Sequence, residues 1–138
     1  MNLNRHRISR EEGVAAVEFA LILPVLALML FGVLEFGRVW SQYQVFQGAA
    51  REGARCAAVA STSECAVQDE IDQAAAPYEP AGNATIQVLG GGGGPNGCTN
   101  SDRGKDVQVS WDQPFQLNIP FWSNASVTAT VKAVFRCE

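Results

Sequence analysis

Residues 14–34 read VAAVEFALILPVLALMLFGVL, and Glu18 is the only charge among them. Crossing the hydrocarbon core of a bilayer takes about 20 apolar residues, so the run has spanning length. Thirteen of its 21 residues are Leu, Ile, Phe or Val. At roughly −0.3 to −0.6 kcal/mol each they sum to about −6 kcal/mol, against about +3 kcal/mol for one mid-membrane acid. Insertion wins even with Glu18 and Pro24 present. A soluble helix packed on a core is apolar along one stripe, whereas this segment is apolar all round, which favours a membrane helix.

The flanks set orientation. Arg5, Arg7 and Arg10 precede the run, and a basic N-terminus stays cytoplasmic, sending the C-terminal part outward. A cleaved secretory signal fits poorly, because the apolar stretch is too long and no small-x-small site closes it. Ala58-Val59-Ala60 has suitable letters but lies far beyond the apolar end. No Cys follows the run for lipid attachment. All four cysteines, Cys56, Cys65, Cys98 and Cys137, fall on the outward side. An even count in a small exported domain reads as disulfides.

Several function classes are disfavoured. The chain carries 10 Lys+Arg against 14 Asp+Glu, for a formal charge of −4, with no basic block, so nucleic-acid binding is not expected. His6 is the one histidine, and no CxxC pair occurs, so neither a metal site nor a cofactor is expected. Gly90 to Gly94 is no phosphate loop, since no Gly-Lys-Ser/Thr follows. Asn83-Ala84-Thr85 and Asn124-Ala125-Ser126 match the glycan acceptor pattern by chance on a bacterial-looking export route. No Ser/His/Asp or Cys/His set exists, so no catalytic residue and no small-molecule substrate are expected.

Outside the apolar run the periodicity changes twice. In residues 35–60, Phe36, Val39, Trp40, Tyr43, Phe46, Ala50, Gly53, Ala54 and Ala57 recur at spacings of three and four, which predicts an amphipathic continuation of the helix. Two rows of small residues, Ala49/Gly53/Ala57 and Ala50/Ala54/Ala58, permit close approach of another helix or of this chain's own sheet, with the second slightly favoured. Arg51, Glu52 and Arg55 could pair, for a few tenths of a kcal/mol. A polar break follows at Ser61-Thr62-Ser63. Cys65 to Ala76 reads as a short helix, ended by Pro77 and Pro80.

From there the period is two. Ala84–Leu89, Val107–Trp111 and Ser126–Phe135 read as strands, with Leu117–Phe121 as a further short one. Val107, Val109 and Trp111 share one face, as do Val127, Ala129, Val131, Ala133 and Phe135. Phe121 and Trp122 cannot both face one side of a strand, so one of them is expected to be exposed near membrane or partner. The expected fold class is α+β: a long N-terminal helix, membrane-spanning in its first half, packed on a small antiparallel sheet in a pilin-like way. The expected layout is a leader over 1–13, a transmembrane helix over 14–34, an amphipathic extension over 35–60 and an exported, disulfide-bonded domain over 61–138.

Four cysteines allow three pairings. The favoured one is Cys56–Cys65, fastening the turn to the helix end, with Cys98–Cys137, anchoring the Gly-rich loop to the last strand.

One heptapeptide points to a function. Gly13-Val14-Ala15-Ala16-Val17-Glu18-Phe19 places a Gly at the end of a charged leader and an acid at the fifth apolar-helix residue. It resembles a type IV prepilin processing site, where a membrane aspartic peptidase cuts after the Gly. The resemblance implies a processing site at Gly13 and Val14 and a mature chain of residues 14–138. It also implies that Glu18 is an assembly contact, facing the free amine of a neighbouring subunit. An acid inside an apolar segment is costly and calls for such a partner.

A longer pattern narrows the resemblance. Val17-Glu18-Phe19-Ala20-Leu21, Leu23-Pro24, Gly32, Glu35-Phe36-Gly37-Arg38 and Ala49-Ala50-Arg51-Glu52-Gly53-Ala54-Arg55 together closely resemble the TadE-like family, pseudopilins of tight-adherence (Flp) pilus systems. The resemblance covers residues 13 to about 60. It implies a minor pilin-like component of Flp pilus assembly in surface adhesion, with no enzymatic activity. The implied location is the inner membrane, single-pass, N-terminus inside and C-terminal domain outside, periplasmic or extracellular, with incorporation into the pilus left open. The implied partners are the membrane, a prepilin peptidase and other pilin-like subunits, such as TadF-like proteins and the Flp pilin. The alternative is an uncleaved single-pass envelope protein displaying a disulfide-bonded binding domain, and cleavage at Gly13 separates the two.

Overall fold

Between residues 5 and 58 the one strong helix breaker is Pro24, and membrane helices tolerate an internal proline. The computed structural model describes residues 5–59, 65–119 and 122–138, and the side chains of 13–59, 65–119 and 125–138. It contains one long helix, α1, over Arg5–Ala58. The helix thus begins earlier than Val14, where the sequence reading began it. A glycine in a helix interior costs only about 1 kcal/mol, so Gly13 does not terminate a helix that propagates on both sides of it. The polar break at Ser61 to Ser63 lies outside the described residues.

The second helix, α2, spans Val67–Ala75. It stops because Ala76 precedes Pro77 and takes an extended ψ of 139°, as a residue before proline is driven to do. Strands β1 (Thr85–Leu89), β2 (Asp106–Ile119) and β3 (Trp122–Arg136) form one antiparallel sheet in the order β1-β2-β3. The expected α+β arrangement is therefore present. Leu117 to Ile119, expected to open a further short strand, belong to β2, which runs on through Pro114 to Ile119. β1 pairs with β2 only from Asp106 to Ser110, so β2 has an open edge beyond that point, where proline is tolerated. Residues 120–121, and the side chain of Trp122, lie outside the described set, and so does the expectation placed on Phe121-Trp122.

The sheet lies along the outer half of α1, and their lengths match. Near the start of β2, the Cys98 N–H donates to the Ala57 carbonyl at 2.9 Å. At its far end, the Asn118 N–H donates to the Glu35 carboxylate at 2.7 Å. Residues 35–58 of a helix rise about 35 Å at 1.5 Å each. Residues 106–118 of a strand cover about 41 Å at 3.4 Å each. A twisted strand crossing a helix therefore spans nearly the same height, and the sheet ends where the apolar run begins.

The core forms between these layers. Phe46 from α1 meets Phe115 at 5.9 Å, Tyr78 at 6.1 Å and Trp111 at 6.4 Å between ring centroids. Val107, Val109 and Trp111 are buried, as the alternation requires. The Trp111 Nε1–H and the Ala81 N–H both donate to Oε1 of buried Gln113, so the polar atoms of this core are satisfied. The small-residue rows pack inside the protein itself: Ala49, Ala50, Ala54, Ala57 and Ala58 are all buried. Gly53 is required here, because a Cβ would stand 2.5 Å from Cγ1 of Ile71 in α2.

Two apolar readings need correction. Phe36 and Trp40 were expected on the packed face of the helix but are 68% and 53% exposed. They project from α1 about 100° round the helix from Glu35 and Val39, which face the sheet, so among the described residues the sheet leaves them largely uncovered. On β3, Val131 and Ala133 are buried, but Val127 and Phe135 are exposed. β3 is the edge strand, and only its middle is covered.

Candidate processing and assembly segment

Gly13, Val14 and Glu18 lie on one uninterrupted stretch of α1, and all three are exposed. Val14, Glu18 and Ile22 follow one another at i, i+4, so they line one helix face. Among the described residues α1 is the one helix long and apolar enough to cross a membrane, and none of its most apolar window is buried inside the protein. Among the described residues, the structure brings no group of the folded domain to Glu18.

Where the apolar run ends, a clamp begins. Arg38 donates to Glu35 through Nε at 3.1 Å and Nη2 at 2.5 Å, an i,i+3 pair on the helix. Both side chains also reach across to β2. Arg38 Nη2 donates to the Gln116 carbonyl at 2.5 Å, and Glu35 accepts from the Asn118 N–H. Along the open edge of β2, two side chains thus supply the donor and acceptor that a neighbouring strand would otherwise provide. The Arg38 guanidinium, together with the Asn118 N–H, holds the Glu35 carboxyl down at about 2. In the sequence, Glu35 and Arg38 stand out only within the resemblance to the TadE-like family. The signal for their role was present as opposite charges three residues apart at the end of an apolar run, but their strand partners are visible only in the fold.

The opposite end of the outer helix is closed differently. The last carbonyls of a helix lack partners within it. Here Ala57 accepts from Cys98 and Ala58 accepts from the Glu138 N–H at 3.2 Å. Gly97, at φ +119°, allows the loop to approach, since a Cβ there would strike the Ala57 backbone. Disulfides join Cys98 to Cys137, with Cα atoms 5.8 Å apart, and Cys56 to Cys65, at 5.9 Å. These are the two pairs favoured from the sequence. Buried Asp102 organises the Gly-rich loop: it accepts from the Thr99 hydroxyl and N–H, from the Gly93 N–H and from the Lys105 ammonium. Those donors hold its carboxyl well below the usual carboxylate range. Among the described residues, no cluster of three or more His, Cys, Asp or Glu could hold a metal ion.

Both the apolar helix with Glu18 and the Glu35–Arg38 clamp fall within one matched segment. Residues 13–55 match the TadE-like protein family. No curated protein and no solved structure gives a significant match. The TadE-like segment begins at Gly13, carries the apolar run and the clamp, and ends in the last turn of α1, leaving α2 and the sheet outside it. The family is a pilus-associated, pseudopilin-type one.

Proposed function

We propose that this chain is a minor pilin-like subunit that helps assemble a Flp-type, tight-adherence pilus used in surface adhesion. The observation that carries the reading is the division of α1. Its outer half is packed against α2 and the sheet, while its apolar half, bearing Glu18, is left uncovered. A subunit that first sits in a bilayer and then joins a helical bundle needs such a division, because one surface must serve lipid and neighbouring helices in turn. Residues 14–34 span the inner membrane, with the basic N-terminus inside and residues 61–138 outside. A prepilin peptidase cuts between Gly13 and Val14, and TadF-like proteins and the Flp pilin are the assembly partners.

Processing tests this reading against the uncleaved-anchor alternative. Co-expression with the cognate peptidase should remove residues 1–13 and leave Val14 as the new N-terminus in an intact-mass measurement. Gly13→Leu should block the cut, since the peptidase needs a small residue there. Met1 retained beside active peptidase would overturn the pilin-like route.

A further inference from the structure

The aromatic residues just past the apolar run are exposed on the helix, and the end of β2 is exposed at the same height. Leu34 ends the run. Phe36 and Trp40 follow about 3 Å and 9 Å further along the axis, at 1.5 Å per residue. A headgroup layer is about 5–8 Å thick on each side of the hydrocarbon. Helical side chains lean toward the N-terminus, so both rings tilt back toward the bilayer. They stack on one another at 6.1 Å between centroids. The amphipathic indole of Trp40 is of the kind that concentrates at membrane–water interfaces, and the apolar ring of Phe36 lies on its bilayer side.

The second element at this height is the strand end. The Glu35–Arg38 clamp holds Gln116 and Asn118 against the first turn beyond the apolar run. Ile119, the next residue, is 42% exposed. An exposed isoleucine at a strand end, a stacked Phe–Trp pair and the uncovered apolar helix thus form a continuous series along the axis.

We infer that the exported domain rests on the lipid surface: Phe36, Trp40 and Ile119 occupy the headgroup layer, and the Glu35–Arg38 clamp holds the end of β2 down in it. The inference depends on the reading that residues 14–34 span a membrane. The partner is lipid because the surface continues an apolar helix already in the bilayer, and height along the axis, not side of the helix, decides which residues touch it. Glu35 is a positioning residue here, acting through the Asn118 N–H.

Photo-crosslinking tests this in the full chain, reconstituted in vesicles of phosphatidylethanolamine and phosphatidylglycerol. Benzoylphenylalanine is placed singly at Leu26, Trp40, Ile119 or Gln87, and lipid adducts are read by mass spectrometry. Leu26 reports the span, and Gln87, near the far end of the sheet, reports background. Adducts at Leu26, Trp40 and Ile119, with none at Gln87, are expected. Glu35→Ala should abolish the adduct at Ile119 and keep those at Leu26 and Trp40. Glu35→Gln, which retains an acceptor for Asn118, should keep all three. Lipid adducts at Leu26 without any at Ile119 would overturn the inference and leave the membrane span standing, as would an Ile119 adduct that survives Glu35→Ala. No adduct at Leu26 would overturn the membrane span and the inference with it.

Discussion

The Glu35 carboxylate accepts a hydrogen bond from the main-chain N–H of Asn118 at 2.7 Å, across 83 residues of sequence. It joins the first residue after the apolar run to the far end of the longest strand pairing in the sheet. A helix that projects from a domain by half its length is a lever, and this contact, with the one from Arg38 to Gln116, lies at the fulcrum. These two side chains and the Tyr43–Phe115 contact, 6.3 Å between ring centroids, join the base of the apolar half to the sheet.

The clamp has a pH dependence of definite sign. The folded-state pKa of Glu35 is depressed, from 4.5 to about 2. A group with a lowered folded pKa stabilises above its unfolded pKa and loses that contribution as pH falls through the folded one. The stability difference between wild type and Glu35→Gln should be constant above about pH 5, shrink below pH 4.5 and vanish near pH 2. Urea midpoints of both proteins across that range measure it. A difference that persists at the acid end would show that the carboxylate charge does not contribute.

Glu18→Ala should leave insertion intact or improve it, because an intramembrane charge is removed. Pilus formation and cross-links to pilin-like partners should fall. Unchanged pili and cross-links would reduce Glu18 to a residue of the membrane interface.

Gly53 offers a test of packing in which the usual sign reverses. Gly→Ala in a helix normally stabilises by up to about 1 kcal/mol. Gly48→Ala, with open space at its Cβ, should do so. Gly53→Ala forces its methyl against fully buried Ile71 and should destabilise by about 1–3 kcal/mol, as overpacking does. Ile71→Val in the same chain should recover part of the loss. Thermal unfolding of the three variants decides it.

Cys137→Ser opens a bridge that spans 39 residues, while Cys56–Cys65 spans 9. Removing a native disulfide from a small exported domain costs about 2–5 kcal/mol, and the longer closure should cost more. The Cys98–Cys137 bridge also holds the segment whose N–H groups cap Ala57 and Ala58, so hydrogen exchange in the last turn of α1 should speed up with it. Unchanged protection there would show that the caps form without the bridge.

The apolar run, its single acid and the small-residue rows are local patterns, and periodicity and composition are enough to read them. Length against bilayer thickness makes 14–34 long enough to span, spacing of three and four predicts a helix over 35–60 that the fold ends at Ala58, and alternation makes Val107, Val109 and Trp111 one buried face. Position along the chain was also enough to favour the cysteine pairs, since each bridge joins ends of neighbouring elements. Three things were beyond that reach. Phe36 and Trp40 carry the same periodicity as Phe46, yet burial depends on which side of the helix the sheet takes, and it takes the side of Glu35, Val39 and Phe46. Leu117 and Ile119 continue a strand through Pro114, because β1 is too short to pair there and leaves an open edge. Glu35 and Arg38 read as an ordinary helical ion pair, and only the tertiary fold brings Gln116 and Asn118 to them. Each of these outcomes depends on contacts between residues distant in sequence, and such contacts leave no periodic trace in either segment.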